Sequence, residues 1–392
     1  QGLPTFPMID VPDVRKAMGR LAHWYRMQFD LPVIGITGSN GKTSTKALLQ
    51  SALARGQSVL TSPASFNNDV GVPLTLLEMS DEHQAAILEI GTNHPGEIAH
   101  LTQMVKPSIG IITSVGGSHI GHFGTIEAVV QEKGSLAEAL PEDGVLFLNS
   151  DSSWCTSLAE RTCAKVISVG FHEGSDWLLS ECRISQSQTT CHIYHKEQRI
   201  NTNFEIPVSG EHQAVNAGLA FAAAFELGVH PDQIKEGLAN AEMPGMRMEV
   251  VETPVATLWN DAYNANEDSI LASMETFSSV VKQEGRSIVV LGQLNELGDH
   301  AKAVYERLAR KAVVLGFDLL VGIGEGTDDW ISMAQSQGHP KCLHFDSIEE
   351  AFLKLQQQIL ESDHILFKAS RGAKLERLVE RLKEEFDTKS GI

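Results

Sequence analysis

Short runs of apolar, often β-branched residues recur along the chain, and between them lie stretches whose apolar positions return every three or four residues. "LPVIGIT" (31–37), "AAILEIG" (85–91), "IGIITSV" (109–115), "GVLFLN" (144–149) and "AKVISVG" (164–170) are of the first kind. They are too continuous to alternate between a wet and a dry face, so each predicts a strand buried on both sides. "TSTKALLQSALARG" and "TIEAVVQEKGSLAEAL" are of the second kind and predict helices. Strands alternating with helices imply an α/β fold with a mostly parallel sheet covered on both faces.

The pattern changes between Trp177 and Pro207. "TTCHIYHK" and "RINTNFEIP" alternate polar and apolar residues, which predicts a few antiparallel strands beside the sheet. After "MPGMRMEV" the first pattern resumes: "ATLWND", a helix from about Asn266, "SIVVLG", a helix after His300, "DLLVGIG" and "HILFKAS". Pro244-Gly245 is a natural hinge. The expected organisation is a central domain at 31–245 and a C-terminal, Rossmann-like α/β domain at 246–392. No internal repeat, low-complexity tract or heptad pattern interrupts it.

Between the first strand and the first of these helices lies "GITGSNGKTSTKALL". The common phosphate-loop pattern wants a glycine, four further residues, then Gly-Lys-Ser/Thr, and here the place of that first glycine holds Ile36. The remaining parts are in register. Gly38 and Gly41 let backbone N–H groups turn toward an anion, Lys42 supplies charge, and Thr43 offers a hydroxyl to Mg²⁺ at a helix N-terminus. The bland alternative is a tight turn with an exposed lysine. Glu89 falls near the carboxyl end of another buried strand, where an acid is either metal-directed or simply solvated. His119 and His122 stand in the glycine-rich "SVGGSHIGHFG", and spacing alone does not make them ligands.

Composition narrows the class. With 392 residues and 42% hydrophobic content the chain can bury more than one core. A formal charge of −19 argues against a general nucleic-acid binder but leaves room for one basic pocket. No apolar run is long enough to span a bilayer, and "QGLPTFPMID" lacks the regions of a signal peptide. Cys155, Cys163, Cys182, Cys191 and Cys342 contain no C-x-x-C pair, so reduced thiols in a cytoplasmic protein are expected.

The ordered motifs "TGSNGKTS", "NNDVGVPLTLLEM", "EIGTNHPGEI", "EKGSLAEAL", "SGEHQAVNA", "MPGMRMEV", "NDAYNANEDS" and "LGQLNELGDH" together resemble the Mur ligase family, which includes folylpolyglutamate synthetases. The resemblance covers nearly the whole chain, and the shortened phosphate loop is a form this family uses. It implies an ATP-dependent, ADP-forming amide ligase of peptidoglycan precursor synthesis, closest to members that add D-Ala-D-Ala to UDP-MurNAc-tripeptide. A ligase acting on another carboxylate, such as a folate or other peptide, and a non-catalytic nucleotide-binding partner protein are the alternatives. The small-molecule substrates, a monomeric state and the absence of nucleic-acid or membrane partners come with the same resemblance.

Residue by residue, the resemblance implies that Gly38, Ser39, Asn40, Gly41, Lys42, Thr43 and Ser44 hold the ATP phosphates. Thr43 and Glu89 would serve one Mg²⁺ and His119 a second, with Lys133 of "EKGSL" carried as a carbamate near the metals. Asn67 and Asn68 would line the place where the γ-phosphate meets the substrate. His212 and Asn216 fall on the adenine side, Arg247 reaches the phosphates from the second domain, and Asp261 meets the ribose. Asn264 and Asn266 shape that loop, while Lys368, Ser370 and Arg371 of "FKASRGAK" approach the incoming amine. Without the family, Lys133 would read as a helix-surface lysine and "NDAYNAN" as a turn. Gln293 and Ala369 depart from the family wording, where aspartate and glycine are usual. "VPDVRKAMGRLAHWYR" resembles only the linker out of a uridine-binding domain, so 1–30 is expected to be the remnant of a domain the chain lacks.

Overall fold

The computed structural model describes residues 8–54, 56–281 and 285–389. Among these, the strands form one sheet of nine and one of six. The first contains β1 (Val33–Thr37), β2 (Val59–Thr61), β3 (Ala85–Glu89), β4 (Ile109–Ile112), β5 (Val145–Asn149), β6 (Lys165–Gly170), β7 (Trp177–Ile184), β8 (Thr189–His195) and β9 (Ile200–Ile206). Its order is β2-β3-β1-β4-β5-β6-β7-β8-β9, parallel as far as the β6–β7 pair and antiparallel beyond it. The hairpins therefore continue the sheet rather than lie beside it.

Continuous apolar runs make this possible. Every residue of β1 and of β3 is buried. Ile34 and Ile36 face one core with helix Lys42–Leu53, while Val33 faces another, shared with helices Glu97–Val105 and Ile126–Glu138. Helix Glu211–Glu226 is alanine-rich and nearly all buried, and Gly218 lets it approach the sheet: a Cβ there would sit 3.0 Å from Val169 Cγ1. Helix Val14–Arg26 packs on this body, with Tyr25 donating to Met79 O at 2.9 Å and Arg26 Nε to Val105 O at 3.2 Å. The first seven residues lie outside the described ones.

The second sheet contains β10 (Glu249–Glu252), β11 (Ala256–Asp261), β12 (Ser287–Gly292), β13 (Leu319–Ile323), β14 (Cys342–Phe345) and β15 (Asp363–Lys368), in the order β10-β11-β15-β12-β13-β14. All its pairs are parallel except β10–β11. Helix Glu267–Val281 puts Ile270, Met274 and Phe277 into an apolar cluster that runs unbroken from Ile34 of the first sheet to Leu366 of the second.

The expectation of reduced thiols is corrected at one place: Cys182 and Cys191 form a disulfide. A register shift between Ser180 and Arg183 brings Cys182 across from Cys191, which residue spacing could not reveal. Cys155, Cys163 and Cys342 are free. Among the described residues no helix is long and apolar enough to cross a membrane.

Candidate active site

The carboxyl ends of β1, β3 and β4 and the start of helix Glu267–Val281 open onto one cavity of about 1450 Å³, lined from both sheets. Its floor is the loop after β1. Gly38 has φ +151°, and a Cβ there would lie 2.0 Å from Thr113 Oγ1. Gly41 has φ +85°, and its Cβ would lie 2.4 Å from Asn216 Oδ1. Only glycine fits either position. The backbone N–H groups of Ser39 and Asn40 are occupied, donating to Ser114 O and Ser114 Oγ at 2.9 and 2.8 Å. The groups left to face an anion are those opening helix Lys42–Leu53, since the first N–H groups of Lys42, Thr43 and Ser44 have no intrahelical acceptor.

Above the loop stands a chain of polar contacts. Thr43 Oγ1 donates to Glu89 Oε2 at 2.9 Å, Asn67 Nδ2 donates to Glu89 Oε1 at 2.9 Å, and Arg247 Nη2 donates to Thr43 Oγ1 at 3.0 Å. Glu89 is only 2% exposed, so the alternative of a solvated strand-end glutamate is rejected. Lys46 Nζ lies 3.9 Å from Glu89 Oε2 and donates to Ser62 O at 2.6 Å and to Ala64 O. Lys42 Nζ folds back onto Gly38 O at 2.7 Å. Burial lowers the pKa of Lys42 and of Lys46, with Glu89 opposing the shift and Arg247 adding to it. Three cations around one carboxylate make a basic pocket in an acidic chain, suited to a polyphosphate.

Lys133 is 2% exposed and is not on the cavity wall. That rules out a surface lysine. Burial, and then the charge of Lys42, hold its ammonium well below the ordinary range, while Glu132 opposes them. Glu132 itself is engaged by the backbone N–H groups of Gly96 and Ile98 at 2.7 and 2.8 Å. His119 lines the cavity in a left-handed conformation (φ +59°), with Nδ1 2.5 Å from Glu296 Oε2. This contact lowers the pKa of Glu296. Asn68 spends its side-chain oxygen on the N–H groups of Val70 and Gly71, at 3.1 and 2.9 Å.

From the second sheet, Asp261 pairs with Lys368 at 2.7 Å and accepts from Ser273 Oγ at 2.5 Å. His212 also lines the cavity; burial pushes its pKa down to about 4, with Asp261 pulling it up and Lys368 pushing it down. Asn40 and Asn266 exchange amide hydrogen bonds at 3.1 and 2.8 Å, joining the phosphate loop to helix Glu267–Val281. Asn264 lines the cavity, whereas Ser370 and Arg371 do not. Ser370 Oγ accepts from Asn295 N at 2.9 Å, and the Arg371 N–H donates to Asn264 Oδ1 at 3.4 Å.

Four residues at the site escaped the sequence reading: Lys46, Ser114, Tyr263 and Glu296. Lys46 had a weak signal, since it lies one turn beyond Lys42 on the same helix face. Tyr263 and Glu296 had none, because their partners are distant in sequence.

A metal can be tested against this donor set. Thr43 and Glu89 offer a hydroxyl and a carboxylate at one buried point, both hard oxygen donors. No group of three or more His, Cys, Asp or Glu residues that could hold a metal occurs among the described residues. Mg²⁺ fits this arrangement, because it is commonly held by one or two carboxylates with substrate phosphates and water completing its shell.

Known proteins resemble this chain in sequence and fold. Residues 36–224 match the Mur ligase middle domain and 246–371 the Mur ligase, glutamate ligase domain. The UDP-N-acetylmuramoyl-tripeptide--D-alanyl-D-alanine ligase of Escherichia coli (strain K12) is 30% identical, over 96% of this chain and 82% of its own length. That of Bacillus subtilis (strain 168) is 32% identical, over 96% and 81%. A crystal structure of MurF from Acinetobacter baumannii superposes with a TM-score of 0.88 at 31% identity, covering 95% of this chain and 81% of that one. With both family domains matched in order and similarity at this level along nearly its whole length, the chain belongs to the Mur ligase family.

Proposed function

We propose that this protein is an ATP-dependent amide ligase of peptidoglycan precursor synthesis that adds D-Ala-D-Ala to UDP-MurNAc-tripeptide and forms ADP and phosphate. The observation that carries the reading is the meeting of Thr43, Glu89 and Arg247 over the phosphate loop, in a chain whose relatives in two bacteria are ligases of that name.

The reaction has two steps. A carboxylate oxygen of the tripeptide attacks the γ-phosphorus, and the bond to the β-phosphate oxygen breaks, giving an acyl phosphate and ADP. The amine of D-Ala-D-Ala then attacks the acyl carbon, phosphate leaves, and the nitrogen loses a proton. Lys42, Arg247 and the N–H groups of Lys42–Ser44 stabilise charge on the transferring group. Thr43 and Glu89 would hold Mg²⁺, with His119 and a carbamylated Lys133 serving a second ion. When bound, these ions offset phosphate charge. Asn67 orients Glu89, and Asn68 keeps its amide nitrogen for the substrate. Asn216 and His212 take the adenine side and Asp261 the ribose. Lys368 adjoins Asp261, and Ser370 and Arg371 act on the amine side from outside the cavity wall.

Residues 31–245 and 246–392 are the two bodies that close on ATP, and the enzyme works as a cytoplasmic monomer. The decisive experiment is ADP release with UDP-MurNAc-tripeptide and D-Ala-D-Ala against folate with glutamate and against other peptides. Faster turnover of another carboxylate would replace the substrate assignment. ATP binding without turnover of any pair would replace the enzyme by a nucleotide-binding protein.

A further inference from the structure

Arg247 is held in an unusual way. Its neighbours Met246 and Met248 both adopt left-handed backbone conformations, at φ +60° and +53°. Non-glycine residues accept such geometry only where surrounding contacts impose it. Here the Met246 N–H donates to Glu249 Oε2 at 2.8 Å, the Met248 N–H donates to Asp261 Oδ1 at 3.2 Å, and the Tyr263 N–H donates to Met246 O at 3.2 Å. The turn thus presents the Arg247 side chain toward the phosphate loop. The guanidinium itself is not fixed by hydrogen bonds alone, since its buried Nε has no hydrogen-bond partner. Its Cζ instead lies 4.2 Å over the centre of the Tyr263 ring. The Tyr263 hydroxyl contacts Ser65 Oγ, in the loop that carries Asn67.

We propose that Tyr263 is a positioning residue that aims Arg247 at the phosphates of the bound nucleotide. The ring face stacks on the guanidinium and restricts it to the orientation in which Nη2 meets Thr43. The hydroxyl couples that orientation to the Ser65–Asn68 loop, and so to the approach of the second sheet toward the first. Tyr263 lines the cavity beside Arg247. Its effect passes through Arg247 and is selective for the phosphate end of the ligand. The inference rests on the nucleotide-binding part of the proposed function and goes beyond it by naming what orients the arginine.

The test is equilibrium titration of the full chain with ATP and with AMP, in Mg²⁺, for Tyr263→Leu, Tyr263→Met, Tyr263→Phe, Arg247→Ala and the Tyr263→Leu/Arg247→Ala pair, with thermal unfolding as a control. Loss of the ring should weaken ATP about 5- to 30-fold, the equivalent of a desolvated cation–π contact, and leave AMP within about 2-fold. Tyr263→Phe should hold ATP within about 3-fold, because it keeps the ring. The double variant should bind ATP no more weakly than Arg247→Ala alone, because the two residues act in series. Tyr263→Met covers the case in which Tyr263→Leu does not fold. Equal weakening of ATP and AMP, a Phe variant as damaged as Leu, or additive losses would overturn the assignment. Absence of ADP release alongside the expected binding pattern would instead overturn the ligase reading and leave this one standing.

Discussion

Arg247 Nη2 donates to Thr43 Oγ1 at 3.0 Å across 204 residues of chain. The same hydroxyl donates to Glu89 Oε2 at 2.9 Å, so one threonine joins the phosphate-loop helix, the end of β3 and the turn before β10. All three residues line the one cavity.

Thr43→Val keeps the side-chain shape and removes the hydroxyl. We expect ADP release to fall by about 100-fold, the scale on which a single preorganised polar contact acts. The melting temperature should also drop, because the variant removes a partner of the buried Glu89, a loss of about 1–3 kcal/mol. Turnover within a few-fold of the parent would take the hydroxyl out of the chemistry.

Lys42→Ala separates function from folding. The Lys42 Nζ hydrogen bond goes to Gly38 O inside its own loop, so its removal should change stability by no more than about 1 kcal/mol. Burial of that ammonium is a cost the fold carries for its ligand. ADP release should become undetectable or nearly so, and parallel measurement of thermal unfolding will show whether the fold survives.

Lys133→Ala tests the carbamate. Burial, and then the Lys42 charge, disfavour its ammonium, the direction that carbamylation needs, since CO₂ is taken up by the neutral amine. Activity should fall at least about 10-fold and recover in part when acetate or formate is added, because a small carboxylate can replace the lost one. Full activity of Lys133→Ala without additives would end the role.

His212 predicts an acid-side loss of stability. Its pKa falls from 6.5 in the unfolded chain to about 4 in the fold, so between those values the unfolded state binds the extra proton. Stability is therefore retained above about pH 6.5 and lost as pH drops through the window. In urea titrations at pH 7 and pH 4.5, His212→Gln should lose less stability than the parent, by about 1 to 2 kcal/mol. An unchanged pH dependence would show that His212 is not the group responsible.

Local patterns in the chain carry local structure. The apolar runs that became β1 and β3 need no partner to be recognised, because burial on both faces leaves no polar alternation. Gly38 and Gly41 likewise announce a turn whose backbone only glycine tolerates, immediately before a helix. The change to alternating residues after Trp177 marks antiparallel pairing, although it could not show that β7 would extend the main sheet.

Side-chain environments needed the fold. Lys133 reads as a surface lysine in its helix, yet it is buried because that helix packs against both the sheet and helix Glu97–Val105. Cys182 met Cys191 through a strand irregularity that spacing does not encode. Tyr263 and Glu296 acquired partners 16 to 198 residues away in Arg247, Ser65 and His119. Sequence by itself determined the α/β alternation, the phosphate loop and the acidic strand end, since each depends on residues within one element or turn. Tertiary structure alone decided which charges face one another across the cavity, because Coulomb and hydrogen-bond energies depend on distance through space, and two sheets far apart along the chain supply opposite walls of the same site.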